Sequence, residues 1–236
     1  MRNHGQQGFI YRLPIGGDLQ LGIEKICSIE HNNAPIIWAA EGERLDEFIA
    51  LYGDRYSFVE DIPSFDYVYP TEALSNLVGK KYQSKRNHIS AFTRKHDWSY
   101  KCLDGSNISL IRECMEEWYA DTPYCESLCK EKQGIEYILD KYDRMDIKGG
   151  CVIVGGKCVA FTFGVAINAD IFDICIEKAL PDYPEAYSVI NREFAKCLNC
   201  EFINRENDMG ITGLRKAKQS YHPCFMVKKY FCIGRG

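Results

Sequence analysis

Apolar positions along this chain recur in short blocks of two kinds, some with a period near two residues and some near 3.6, so strands and helices interleave. In the first third, Phe9-Ile-Tyr-Arg-Leu reads as a strand, residues 19–30 as an amphipathic helix, Ile36-Ile-Trp-Ala as a strand and residues 44–52 as a helix. Short strands follow at 56–59 and 65–69. The alternation predicts an α/β layer with too few strands to complete it, as though the fold were entered part-way in a chain short at its N-terminus.

Residues 80–95 read as a helix bounded by Gly79 and Asp97. Tyr82 and Ile89 fall on one stripe with Phe92 beside it, while Lys81, Lys85 and His88 form a neighbouring ridge. The helix is expected to pack on one side and display charge on the other. Beyond it come a strand at 98–103 and helices at 108–120 and 131–142. Gly149-Gly-Cys-Val-Ile-Val, the turn Gly155-Gly156 and Lys157-Cys-Val-Ala-Phe-Thr-Phe-Gly-Val make a hairpin. A strand at 170–177, a helix at 185–198, a strand at 202–204, a helix at 213–220 behind a Thr212 N-cap and a last strand at 225–231 complete the reading.

Charge changes the picture more than composition does. Residues 79–96 hold six Lys/Arg and no acid, and residues 148–236 hold twelve against nine, inside a chain of net charge −4. Residues 1–78 hold five bases against twelve acids. Concentrated basic charge in an acidic protein points to a phosphate-bearing or other polyanionic partner. No apolar run approaches the ~20 residues that span a bilayer, and Met1-Arg-Asn-His-Gly-Gln-Gln lacks the apolar core of a secretion signal, so the expected compartment is the cytoplasm.

Twelve cysteines are scattered singly through apolar segments, as expected of core filling rather than of a disulfide framework. The pairs Cys125/Cys129 and Cys197/Cys200 have near-ligand spacing, but both fall on or beside helices, and no metal site is expected from them. Sequence signatures of zinc proteases, phosphate-loop nucleotidases and serine hydrolases are missing.

The order from Trp98 onward resembles the acyltransferase fold of the Gcn5-related N-acetyltransferase (GNAT) superfamily. Four blocks carry a narrower resemblance: Lys85-x-Asn87-His88-Ile89 with Phe92; Gly150 with Gly156-Lys-x-Val-Ala-Phe161; Asn191-x-Glu193-Phe194; and Asn204-Arg-Glu-x-Asp-x-Gly-x-x-Gly-Leu-Arg-Lys-Ala-Lys218. Together they look like an uncharacterised bacterial family resembling the C-terminal aminoacyl-transferase domain of phosphatidylglycerol lysyltransferases, which carries two such folds in tandem. The resemblance covers roughly residues 7–231. It implies an α/β (α+β) protein with a mixed central sheet: a partial first copy at 1–78, a basic linking helix at 79–97 and a complete second copy at 98–236. One departure matters. The loop that in acetyl coenzyme A enzymes offers glycine amides to a pyrophosphate is here Leu180-Pro-Asp-Tyr-Pro-Glu-Ala-Tyr-Ser188, with two prolines, two carboxylates and no glycine.

Acyl transfer needs a donor held still, an acid for the leaving group and a base for the nucleophile. Arg205, Arg215, Lys216 and Lys218, the amide of Gly213 at a helix start, and Lys81, Lys85, Arg86 and His88 of the basic helix are the candidates for holding a donor phosphate. Tyr221, four residues after Ala217, is the candidate acid, as the superfamily resemblance implies, and Glu206 the candidate base. A solvated basic face and a merely packing tyrosine are the plain structural alternatives. Three functions compete. The leading one is an acyl or aminoacyl transferase using a phosphate-bearing donor such as aminoacyl-tRNA, acting on an amine or hydroxyl such as a lipid headgroup, with peripheral membrane contact. The others are an acyl-CoA-dependent N-acyltransferase and a noncatalytic binding module or truncated gene product.

Overall fold

A computed structural model describes residues 9–123 and 125–235; the reading that residues 1–7 lack the apolar core of a secretion signal falls outside them. The chain forms β1 (Tyr11–Arg12), α1 (Leu19–Glu30), β2 (Ile37–Ala40), α2 (Glu43–Tyr52), β3 (Tyr56–Glu60), β4 (Asp66–Pro70) and α3 (Thr71–Asn76). It continues through α4 (Gln83–Lys95), β5 (Trp98–Cys102), α5 (Ile108–Ala120), α6 (Glu126–Lys141), β6 (Ile147–Val154), β7 (Lys157–Ala166) and β8 (Ile171–Ala179). Last come α7 (Ala186–Lys196), β9 (Phe202–Asn204), α8 (Thr212–Gln219), β10 (Phe225–Val227) and β11 (Lys229–Gly234). Two compact units result. One takes the described parts of Met1–Tyr67, Asn207–Arg215 and Met226–Gly236, and the other takes Val68–Glu206 and Lys216–Phe225.

The first unit is built on a sheet of order β1-β2-β11-β3, with β1 and β2 parallel and β11 antiparallel to both of its neighbours. Asp18 caps α1 by accepting the Leu21 amide at 2.9 Å, which fixes the helix start and turns Leu19 and Ile23 inward. They meet Leu45 and Phe48 of α2, Ile37 of β2, Tyr56 of β3 and Cys232 of β11 in one core. This corrects the expected final strand. The run 225–231 is two strands, of which β10 joins the larger sheet and β11 closes the smaller one. The Lys229–Asp66 pair, 2.6 Å apart with side chains only 11% and 13% exposed, ties the start of β11 to β4 within this unit.

The second unit carries a seven-stranded mixed sheet, β10-β4-β9-β8-β7-β6-β5. Strands β5 to β8 form an antiparallel meander, and Gly155 and Gly156, at φ 56° and 84°, supply the left-handed turn between β6 and β7. A β-bulge opposite Phe163 and Gly164 leaves Cys175 as the extra residue of β8. A side chain at Gly164 would stand 1.9 Å from the Asp173 carbonyl oxygen, so the bulged backbone closes down on a position only glycine fills. Helix α7 packs against β6, β7, α3 and α4, burying Ala186, Val189, Ile190 and Phe194. The basic segment is therefore part of this unit's body rather than a link. Its first turn, Lys80–Tyr82, is a 3-10 turn, and the α-helix starts at Gln83.

Candidate active site

The candidate site lies where two parallel strands separate. β8 and β9 pair only over Ile171–Asp173 and Phe202–Asn204, after which β8 runs on to Ala179 while the other strand ends. Glu177 and Arg205 fill the gap. The Arg205 guanidinium donates to the Glu177 carboxylate at 2.7 Å, with the two side chains 12% and 11% exposed. Asn191 of α7 donates to the other Glu177 oxygen at 3.2 Å.

Tyr221, just past α8, brings three more elements to this pair. Two cations stand against its ring, with Lys85 Nζ 4.0 Å from the centroid and Arg205 Cζ 4.9 Å from it. Tyr82 donates to the Tyr221 carbonyl at 3.1 Å, and Tyr69 donates to the Lys218 carbonyl at 2.8 Å, so the end of α8 is anchored from below. The ammonium of the buried Lys218 donates to the Arg205 carbonyl. The Tyr221 hydroxyl donates to Ser188 Oγ at 3.5 Å, and His88 Nδ1 lies 3.4 Å from the same oxygen. A hydroxyl chain thus links a buried phenol to an exposed imidazole.

The electrostatics follow from burial. Desolvation lowers the Lys85 pKa, the Arg205 charge lowers it further, and Glu177 opposes both. Lys85 forms no ion pair among the described residues although it is only 8% exposed. Burial raises the Tyr221 pKa against the opposing pull of Arg205, so the phenol keeps its proton. For Arg205 burial works against the charge, and Glu177 more than restores it.

Other residues singled out from sequence lie elsewhere. Arg86 donates to the carbonyls of Leu77 and Gly79, closing the end of α3. Lys81 is exposed, its Nζ 5.0 Å from the Tyr82 ring. Gly213 sits in the first turn of α8 with open space around it, and Lys216 is exposed. Glu206, at φ 54°, has its carboxylate within 4.8 Å of the Asp173 carboxylate and the Cys175 thiol. Those three are the one potential metal-donor group among the described residues, so the two cysteine pairs do not assemble into one. Burial, then Asp173 and Glu206, pushes the Cys175 thiol up to about 12. Glu177 drew notice in the sequence only as a neighbour of Lys178 at a strand end, where the two cannot both line a cleft, and Ser188 and Asn191 carried no assigned role, although Asn191 heads one of the resembling blocks.

Arg215 serves the first unit. Asp208, 1% exposed, accepts from Arg215 Nε at 2.7 Å, from Tyr67 at 2.6 Å and from the Gly210 amide at 2.8 Å. Arg215 chiefly, with Tyr67 and the amide, holds the Asp208 pKa at about 2, from an ordinary 3.8. A depressed carboxylate stabilises the fold above its unfolded pKa and loses that effect as pH falls through the folded one. Asp208→Asn should therefore melt below wild type at neutral pH, and the gap should shrink between about pH 4 and pH 2. Paired thermal melts across that range check it.

A family model described as phosphatidylglycerol lysyltransferase, C-terminal, matches residues 1–233. The chain belongs to this family. It is similar to a conserved protein of unknown function from Bacteroides thetaiotaomicron VPI-5482, whose crystal structure has a TM-score of 0.83 at 34% identity over 96% of this chain and 79% of that one. L-PGS from Bacillus licheniformis shares the fold, with a TM-score of 0.62 at 15% identity over 92% of this chain and 73% of that one. An uncharacterized protein of Mycoplasmoides gallisepticum is 22% identical over 205 residues, 80% of this chain, and the chain spans 66% of that relative's length. The α/β fold with a mixed central sheet expected from the sequence is the fold observed. Among the described residues no helix is long and apolar enough to cross a membrane.

Proposed function

We propose that this protein is an acyl or aminoacyl transferase that draws its acyl group from a phosphate-bearing donor, aminoacyl-tRNA foremost, and passes it to an amine or hydroxyl such as that of a lipid headgroup. The observation that carries the reading is the ring of Tyr221 with Lys85 and Arg205 both against it, Lys85 being buried and in no ion pair among the described residues. A buried cation is costly unless something negative reaches it. In acyl transfer that partner is the developing oxyanion or the donor phosphate.

In the step proposed, the acceptor forms its bond to the acyl carbon and the ester carbon–oxygen bond of the donor breaks. The leaving oxygen takes the proton of Tyr221, and the proton the acceptor loses as its bond forms passes through water to His88 and along Ser188 back to Tyr221. Glu177 is the carboxylate held against Arg205 beside Tyr221, and it suits the ammonium of an aminoacyl group. Coenzyme A fits less well. The first amides of α7, where a pyrophosphate would sit, already bond to carbonyls: Ala186 to Tyr183 at 2.9 Å and Ser188 to Glu185 at 3.0 Å.

Filter binding of radiolabelled aminoacyl-tRNA between about 50 and 200 mM salt tests the donor. Affinity should fall log-linearly with salt. Binding that is absent, or indifferent to salt, removes tRNA as donor.

A further inference from the structure

Residues 207–211, the last part of the link from β9 to α8, set two large apolar side chains in water: Met209 is 67% exposed and Ile211 52%. Neither has a part in the chemistry proposed above. The loop is fixed from within. The Asp208 carbonyl accepts from the Ile211 amide at 2.8 Å and Asn207 Oδ1 from the Met209 amide at 3.0 Å, while the buried Asp208 carboxylate holds Tyr67, Arg215 and the Gly210 amide. Met209 itself is kept at φ 52°, a left-handed conformation that a non-glycine residue retains only where its surroundings impose it.

A second turn extends this surface. A side chain added at Gly210 would lie 3.7 Å from Pro63 Cβ, so the loop is seated on the 3-10 turn Ile62–Ser64, where Ile62 is 54% exposed. Single exposed apolar side chains are ordinary, but three on adjoining fixed turns of one unit mark a contact surface.

Size and charge select the partner. Three side chains fall far short of the roughly 800 Å² that each partner covers in a stable protein complex. A bilayer needs no matched surface, and a few apolar tips with basic charge nearby seat a protein at an anionic interface. Helix α8, which starts at the residue after Ile211, holds Arg215, Lys216 and Lys218 and no acid, with Lys216 exposed. On the Ile62 side, Glu60 is paired with Lys228 at 3.2 Å and Asp61 accepts from the Trp38 indole at 2.9 Å.

We propose that Ile62, Met209 and Ile211 form a bilayer-docking surface whose apolar tips enter the headgroup layer of an anionic membrane, with Arg215 and Lys216 supplying attraction for the lipid phosphates. The surface brings the protein to the lipid acceptor of the transferase reading, and rests on that reading for its use but not for its detection.

Flotation of the full chain with vesicles of phosphatidylcholine, alone or mixed equally with phosphatidylglycerol, tests it. Wild type should float with the mixed vesicles, less with phosphatidylcholine alone, and less again as salt rises. Met209→Asn with Ile211→Ser, asparagine accepting the left-handed backbone, should weaken vesicle affinity roughly 10-fold or more. That double variant should melt with wild type, because exposed side chains carry little of the fold's stability. Ile62→Ser, on the other turn, should weaken affinity roughly 3- to 10-fold. Lys85→Met should float as wild type does, which separates docking from occupancy of the candidate active site and from the fate of the transferase reading. No flotation of wild type with the mixed vesicles, or equal flotation by wild type and a folded double variant, overturns the proposal. A wild-type dimer that the double variant splits, with flotation unchanged, would make the surface a contact between copies and overturn it equally.

Discussion

Lys85→Met is expected to lower acyl transfer at least ~100-fold while leaving the protein as stable as wild type or more so. The two halves of that expectation come from one fact. Lys85 is buried over the Tyr221 ring with no ion pair among the described residues, so its charge is a cost to the folded state. Methionine matches the volume of the stem and removes the charge. A cation kept only for packing would give a variant with unchanged turnover. One kept for a developing negative charge gives loss of turnover without loss of fold, and thermal melts run beside single-turnover rates separate the two.

Glu177→Ala should have the largest effect on stability, roughly 3–5 kcal/mol, because it leaves the Arg205 guanidinium buried without its partner. At this chain length each kcal/mol moves the melting point by about 2–4 °C. The double variant Glu177→Leu with Arg205→Met should recover much of that loss, since desolvating an ion pair offsets most of what the pair contributes. Denaturant titration of the two single variants and the double gives the coupling directly. Losses that simply add would mean that the two groups do not share one environment.

Much of the fold was legible in the sequence because the apolar period was strong. Helices α1 and α5 and the β6–β7 hairpin fall where periodicity and the Gly155-Gly156 turn put them. Helix α3 was missed because six residues carry too little period to register. The run 225–231 reads as one strand, and only pairing partners far away in sequence divide it at Lys228.

The candidate site was legible in part for a similar reason. Positions 82, 85, 89 and 92 share one helical stripe, and all four are buried. Lys85 was assigned to the charged ridge by residue type, whereas its spacing put it among Tyr82, Ile89 and Phe92. Arg205 drew notice for its charge, but its partner Glu177 sits 28 residues earlier on a separate strand. No local pattern joins them; the separation of β8 from β9 does.

The most direct measurement is transfer of a radiolabelled lysyl group from charged tRNA to amine and hydroxyl acceptors, lipid headgroups included, by wild type and Lys85→Met side by side. The proposed site requires label on an acceptor with wild type and at least ~100-fold less with a folded Lys85→Met protein. A Lys85→Met protein that transfers at the wild-type rate would contradict it.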